Sequence, residues 1–536
     1  VVITQSIRKE DAIIAKLFEV GAQFPPKNAI ERLSKEYRGR KIFDGKQAEV
    51  LERASDILKD TPHAPQLRKL YVAVNLMDTL LSKPADLMFG EPPLYESGKP
   101  DASTEQKRLN SIVEENDMNQ LGHEIVIGAG IRGDAWIKVY HAIRQDMSEV
   151  PAGYEVSAQP EPIIEAVDSS YVFPELSRGS RKRFKAVNIA YVEWVTESTK
   201  PGIQKYTLAK QPDIEEVPYL VVERHVPGLI LYERYRMTPK SVDTTYDAPI
   251  QTFTITEQVE TGRDENVIQT GLTHIPVFHV PYKTTDDNWA GISGIEKLES
   301  VLAAINDRLV QIDYILWKHS DPTAYGPDLG EAETRFSGRY IPVDKNDVAP
   351  GYMTWNSQLD GAFKELDLLL GLVFQVSETP QWLFGTTLTP DSGGTGTSHT
   401  DGAAIKARFM PILSKVKRIR SHVDRAFRDA LWTAQLLENY TNEGVDGFVP
   451  YEPVYPTISW RDGIPRDEKT EAETMAIRLG GKPTIDVQSA IKHLSEVDDD
   501  KAREIMARIE KDEETANGTV DSSIFNAQKP EVEQDA

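Results

Sequence analysis

Ile292, Ile295, Leu298, Leu302, Ile305, Leu309, Ile312 and Leu316 recur in steps of three and four without a break. That spacing places all eight on one face of a helix. It predicts a single amphipathic helix about 36 Å long, stopped at Ser320-Asp-Pro322, where proline lacks the N–H and clashes with the preceding turn. A second stripe follows, with Leu359, Phe363, Leu366, Leu370, Val373 and Val376 on one face and Pro380 closing it. Two long apolar-faced helices joined by so short a stretch read as an antiparallel hairpin. Between them, Arg339-Tyr-Ile-Pro-Val343 and Tyr352-Met-Thr-Trp355 predict a small β module at the hairpin's tip.

The rest of the chain sorts by period. Residues 1 to about 125 are expected to be mostly helical, with Leu70, Ala73, Met77 and Leu80 in step and Pro84 interrupting the pattern before Leu87 resumes it. From about 136 to 285 the runs become β-branched and aromatic, as in Trp136-Ile-Lys-Val-Tyr140 and Tyr219-Leu-Val-Val222, separated by turn residues. Gly385 to Gly402 holds five glycines and no periodicity, which predicts a mobile loop. A third long helix is expected from Ala403 to about Tyr440, kinked at Pro411. It carries Lys406, Arg408, Lys415, Lys417, Arg418, Arg420, Arg425 and Arg428 against only Asp424, Asp429 and Glu438. Short helices follow to about 515. Residues 496–536 contain 13 acids and 5 bases, and the end of this stretch reads as an acidic disordered tail. The fold class is α+β.

Composition narrows the function. With 61 Lys and Arg against 84 Asp and Glu, the formal charge is −23, which excludes a protein that coats nucleic acid tightly. The absence of cysteine removes disulfides, thiol nucleophiles and thiolate zinc sites, and fits assembly in a reducing compartment. No run of 18 apolar residues offers a membrane span, and the first residues carry charge where a signal peptide would be apolar. A P-loop needs Gly-Lys-Ser or Gly-Lys-Thr, yet the three Gly-Lys pairs continue as Gln47, Pro100 and Pro483. His123-Glu124 lacks the second histidine of a zincin motif, and His274 and His279 fall on opposite faces of a strand. We therefore expect no catalytic residue, no metal and no cofactor.

Several stretches, in order, resemble the portal proteins of tailed bacteriophages, especially those of long-tailed phages infecting Gram-positive hosts. They are Asn75-Leu-Met-Asp78 through Leu87-Met-Phe-Gly-Glu-Pro-Pro93, Ala129-Gly-Ile-Arg-Gly133 with Trp136-Ile-Lys-Val-Tyr140, and Ile275-Pro-Val-Phe278 with Gly291-Ile-Ser-Gly-Ile-Glu296. Asp401-Gly-Ala-Ala-Ile-Lys406 and Ser459-Trp-Arg-Asp462 with Ile464-Pro465 complete the set. In the first of these two, Asp401 and Ile405 depart from the family's usual residues.

The resemblance implies a wing over 1–289, a first stem helix over 290–320, a clip over 321–356 and a second stem helix over 357–380. A tunnel loop over 385–402, a wing helix and strand over 403–460, a crown over 461–515 and a tail over 516–536 complete that division. It implies a non-enzymatic ring, usually of twelve subunits, at one capsid vertex of the virion, assembled in the host cytoplasm. Double-stranded DNA would be packaged and ejected through it without sequence preference. Its other partners would be the terminase large subunit, a head-completion or adaptor protein, and the major capsid and scaffold proteins, with no membrane. The alternative is another head-to-tail connector ring or, less favoured, a packaging enzyme.

On this reading, Thr386, Thr387, Thr389, Asp391, Ser392, Thr395, Thr397, Ser398 and His399 would touch DNA from the tunnel loop. An acidic lumen with sparse basic rings would let DNA slide, and Lys297, Arg308, Lys318 and Lys364 are the candidates for those rings. Tyr325, Phe336, Arg339, Tyr340, Tyr352 and Trp355 would form the clip's partner interface or its own small core. The basic third helix would meet the acidic surface of a neighbouring subunit, a contact favoured over DNA.

Overall fold

Helix gives way to strand at Gly133. Its backbone is left-handed (φ +94°), a conformation glycine adopts without strain, and it ends the helix Met118–Arg132 one residue before the strand Asp134–Ala142 begins. The other end of that helix is capped by Asp117, whose carboxylate accepts the Gln120 N–H at 3.3 Å. The computed structural model describes residues 17–51, 74–145, 159–198, 214–319, 324–327, 340–343, 351–352, 359–384, 402–445, 447–461, 468–495, 497 and 499–518. They fall into two compact units, one of residues 1–95 and 111–463, the other of 96–110 and 464–536.

In the first unit, an antiparallel sheet is ordered Gln23–Phe24, Ile250–Val259, Leu229–Asp243, Ile214–Val226, Phe184–Ser198, Val172–Leu176, with Val267–Gln269 pairing beside Leu229–Leu231. The helix Lys27–Phe43 sets Ala29 and Leu33 into a core with Phe18, Phe24, Phe173, Leu220, Tyr235 and Phe253 of this sheet lobe. A second sheet, Val277–Pro281, Asp134–Ala142, Glu161–Val167, contributes Trp136, which is wholly buried with Val172, Val187, Ile189 and Val277. The β-rich stretch is where the change of period predicts it. The helix Leu76–Phe89 is a correction: Pro84 lies inside it rather than interrupting it. Met77, Leu80, Leu81, Ala85, Met88 and Phe89 are each at most 1% exposed, so packing outweighs the lost hydrogen bond.

A charged cluster bridges the two sheets. Lys138 Nζ donates to Glu223 Oε2 at 2.9 Å, and His225 Nε2, from a fully buried ring, lies 3.0 Å from Oε1. Burial alone would raise the Glu223 pKa, but His225 and Lys138 outweigh it and hold the carboxyl down at about 2. Because the folded value lies below the unfolded one, the group's stabilisation is present above the ordinary glutamate range and is lost as pH falls towards 2. Its size is about 3 kcal/mol. Denaturation midpoints between pH 5 and 2 should therefore fall less steeply in Glu223→Gln than in the wild type; parallel acid limbs would contradict this.

The second unit contains the helices Glu468–Leu479, Val487–Ser495 and Asp499–Gly518, with Met475, Ala490 and Ala502 buried. Asp486 caps the middle helix, accepting from Ser489 N at 2.9 Å. Residues 96–110, which the sequence reading leaves with the N-terminal lobe, belong to this unit, where Ser97 N donates to Gln106 Oε1 at 2.7 Å.

Candidate functional site

Two of the glycine-bearing stretches singled out in the sequence meet in the fold. Gly291 N donates to Asp134 Oδ1 at 2.7 Å and Gly294 N to Gly130 O at 2.8 Å. A Cβ on Gly291 would lie 2.1 Å from Gly133 O, and one on Gly133 would lie 2.5 Å from Gly291 O. Main chain rests directly on main chain here, which only glycine permits. Asp134, 1% exposed, also has His279 Nε2 at 2.6 Å from the same oxygen.

This seam corrects the predicted start of the first hairpin helix. The helix spans Glu299–His319 and does not begin at 290 or 292. Residues 291–298 instead run through turns, because the amides of Gly291 and Gly294 are given to the seam, while Ser293 Oγ accepts from Ile295 N at 3.2 Å and Glu296 N at 3.1 Å. Ile295 and Leu298 are nonetheless buried, so the apolar period marks the inward face correctly but not the backbone.

The first hairpin helix buries Leu302, Ile305, Val310 and Ile312, and Asn306 Nδ2 donates to Gln47 Oε1 at 2.6 Å. The second spans Leu359–Val376, inside the predicted 357–380, and packs against the first. Its burial is one-sided. Val373 is fully buried, whereas Phe363, Leu368, Leu372 and Val376 are 46, 64, 37 and 45% exposed. Gly361 and Gly371 share the exposed side and have nothing within 4 Å of an added Cβ. Together the two helices carry six acidic residues against Arg308, Lys318 and Lys364, so the hairpin is net acidic.

The four basic candidates fall in different settings. Lys297 is exposed in the turn before the first hairpin helix. Arg308 bridges the hairpin, paired with Glu365 of the facing helix and donating to Gln311 at 2.8 Å. Lys364 is exposed on the same side as Leu368. The side chain of Lys318 lies outside the described residues.

Between the hairpin helices, Ala324–Pro327 is central in a three-stranded sheet, parallel to Tyr340–Val343 and antiparallel to Gly351–Tyr352. Tyr325 is half-buried against Gly351, where a Cβ would stand 2.9 Å from its hydroxyl. Tyr340 and Tyr352 lie on the outer strands, their side chains not described; Phe336, Arg339 and Trp355 lie outside the described residues, as do Thr386, Thr387, Thr389, Asp391, Ser392, Thr395, Thr397, Ser398 and His399.

The third long helix, Gly402–Thr441, contains Pro411 and packs Ile412, Val416, Ile419, Val423 and Phe427 against the strands Asp134–Ala142 and Val277–Pro281 and their surroundings. Much of its excess positive charge is engaged within the chain. Arg418 pairs with Glu378 at 2.6 Å, Arg428 with Asp424, and Arg420 donates to Arg461 O at 3.0 Å. Lys415 is buried; among the described side chains of this helix the exposed basic groups are Lys417, Arg418 and Arg425, the last 3.7 Å from Asp429. Sequence reasoning missed Asp134, Tyr282 and Lys415 as organisers of this region, because their partners are remote in the chain.

Among the described residues, no three His, Asp or Glu side chains are grouped to hold a metal, and no helix is long and apolar enough to cross a membrane. Residues 26–209 match the family model described as phage portal protein, SPP1 Gp6-like. Over that stretch the chain is similar to the phage portal proteins. No curated protein matches it. The portal match takes in the helix Lys27–Phe43, the Gly130–Gly133 side of the seam and the strand Phe184–Ser198. Portal proteins are structural components of the phage capsid vertex that serve DNA packaging, form oligomeric rings and act with capsid and packaging partners.

Proposed function

We propose that the chain closes into a ring, dodecameric in the virion, through which double-stranded DNA is packaged and later ejected. The hairpin 299–376 is its stem, the three-stranded insert its clip, the sheet lobe with the helix 402–441 its wing, and the helices after residue 461 its crown. The observation that carries this reading is the uncovered apolar side of the second hairpin helix. Leucines and bare glycines exposed together on a helix interior cost stability in a lone chain, and a neighbouring subunit repeated around a ring supplies the missing cover.

The net acidity of the hairpin supports a lumen that does not grip phosphate, since each phosphate neutralised by a lysine or arginine would add affinity and slow passage. Arg308, tied to Glu365, contributes little to such a grip; Lys297 and Lys364 remain the exposed basic candidates. The 385–402 loop touches DNA through its threonines and serines. The clip docks first the terminase large subunit and then a head-completion adaptor, the outer surface meets capsid and scaffold proteins, and assembly takes place in the host cytoplasm. Mass measurement and negative-stain imaging of the purified protein test the reading: a closed rosette of about twelve subunits with a central hole is expected, and a monomer at assembly concentrations would overturn it.

A further inference from the structure

Where the second hairpin helix ends, the chain places several hydrogen-bond donors around one small cavity. Thr379 N donates to Phe374 O at 3.1 Å and Glu378 N to Gln375 O at 3.2 Å, which closes the helix in a Schellman turn. Glu378 occupies the left-handed position (φ +56°) that glycine fills most easily, and its carboxylate is taken by Arg418 at 2.6 Å. Beside this turn lies a cavity of about 60 Å³, lined among others by Tyr282, Lys283, Lys297, Lys415 and Arg418.

Two of these groups are buried with donors unspent. Lys415 is 7% exposed; its ammonium donates to Ser377 O at 3.0 Å and makes no other hydrogen bond with the described residues. An ammonium has three N–H donors. Tyr282 is 8% exposed, and its hydroxyl, which burial keeps protonated, has no hydrogen-bond partner among the described residues. A buried donor without an acceptor is costly, so such groups ordinarily face a partner. Among the described residues, four cationic side chains surround the cavity, and Glu378, the one acidic residue lining it, already pairs with Arg418. Water would satisfy the donors but leave that charge uncompensated.

We propose that this cavity binds a phosphate group, held by Lys415 and the Tyr282 hydroxyl inside and by Lys297 and Arg418 at the mouth. The group is either free inorganic phosphate or a backbone phosphate of duplex DNA. Burial, opposed by Glu378 and assisted by Arg418, lowers the Lys415 pKa to about 8. Phosphate binding should therefore weaken as pH rises through that value, because the ammonium then gives up its proton.

The test is thermal melting of the purified full-length protein titrated with inorganic phosphate, against chloride at matched ionic strength, at pH 7 and pH 9.5. A saturable upward shift in Tm at pH 7, reduced at pH 9.5, is expected. Tyr282→Phe keeps the ring and loses only the hydroxyl, and exposed Lys297→Gln leaves the core untouched; each should weaken apparent phosphate affinity about threefold to tenfold. A 20-base-pair duplex that displaces phosphate identifies the DNA backbone as the source, and failure to displace it identifies the free ion. A phosphate response no larger than that in chloride, or one unchanged in the Tyr282→Phe, Lys297→Gln double variant, would show a cavity that holds water only and would overturn the proposal.

Discussion

Gly291→Val is expected to cost about 3 kcal/mol or more of stability and to leave little soluble protein. The added Cβ would stand 2.1 Å from Gly133 O and 3.0 Å from Asp134 Oδ1. Neither neighbour can retreat. Gly133 ends a helix whose Ile131 and Ala129 are buried, and Asp134 is held by Gly291 N and His279. Valine must therefore break the seam, freeing the Gly294 N–H and Gly130 C=O as well. Gly371→Ala is the internal control: nothing lies within 4 Å of its Cβ, so helix propensity should make the isolated chain about 0.5 to 1 kcal/mol more stable. Thermal melts of the two variants decide the matter; a Gly291→Val midpoint within a degree or two of wild type would mean that the seam is not made as described.

The second large effect is on assembly. Leu368→Glu with Leu372→Glu should leave the monomer's stability within about 0.5 kcal/mol, because both side chains are exposed in the chain alone. If a neighbouring subunit covers them, the double variant buries two unpaired carboxylates at every interface of the ring, at several kcal/mol per contact. Rings should then be lost altogether. Light scattering and negative-stain images, with circular dichroism to show retained helix, provide the measurement. Intact rings of the double variant would place the leucines on the lumen instead, and Lys364, on the same side of the helix, would go there with them.

How far these features were legible in the sequence depends on how local their causes are. The second hairpin helix emerged from its periodicity over Leu359–Val376, because a helix on one apolar stripe is written by its own residues. For the first the period predicts too early a start, since Ile292, Ile295 and Leu298 keep the helical spacing while glycine contacts more than 150 residues away in sequence turn their backbone. Pro84 misled in the opposite direction, a local breaker overruled by the core around it. The charge of the third helix was countable, but its pairing was not: Arg418 finds Glu378 across 40 residues and Lys415 finds Ser377 across 38. The buried Tyr282 hydroxyl has no sequence signal, because only the packing decides which tyrosines lose their water.

The glycine seam also bears on how the protein responds to its surroundings. Contacts made by surface charges loosen as ions accumulate, and the environment beside packaged DNA is rich in counterions. The glycine seam between hairpin and sheet lobe is made of main-chain amides and one sheltered carboxylate, and it stands beside the ion pairs Arg38–Glu299 at 2.8 Å and Lys35–Glu296 at 3.3 Å. Where salt loosens those two pairs, the seam should still hold, so that steric fit keeps setting the angle at which the hairpin leaves the lobe.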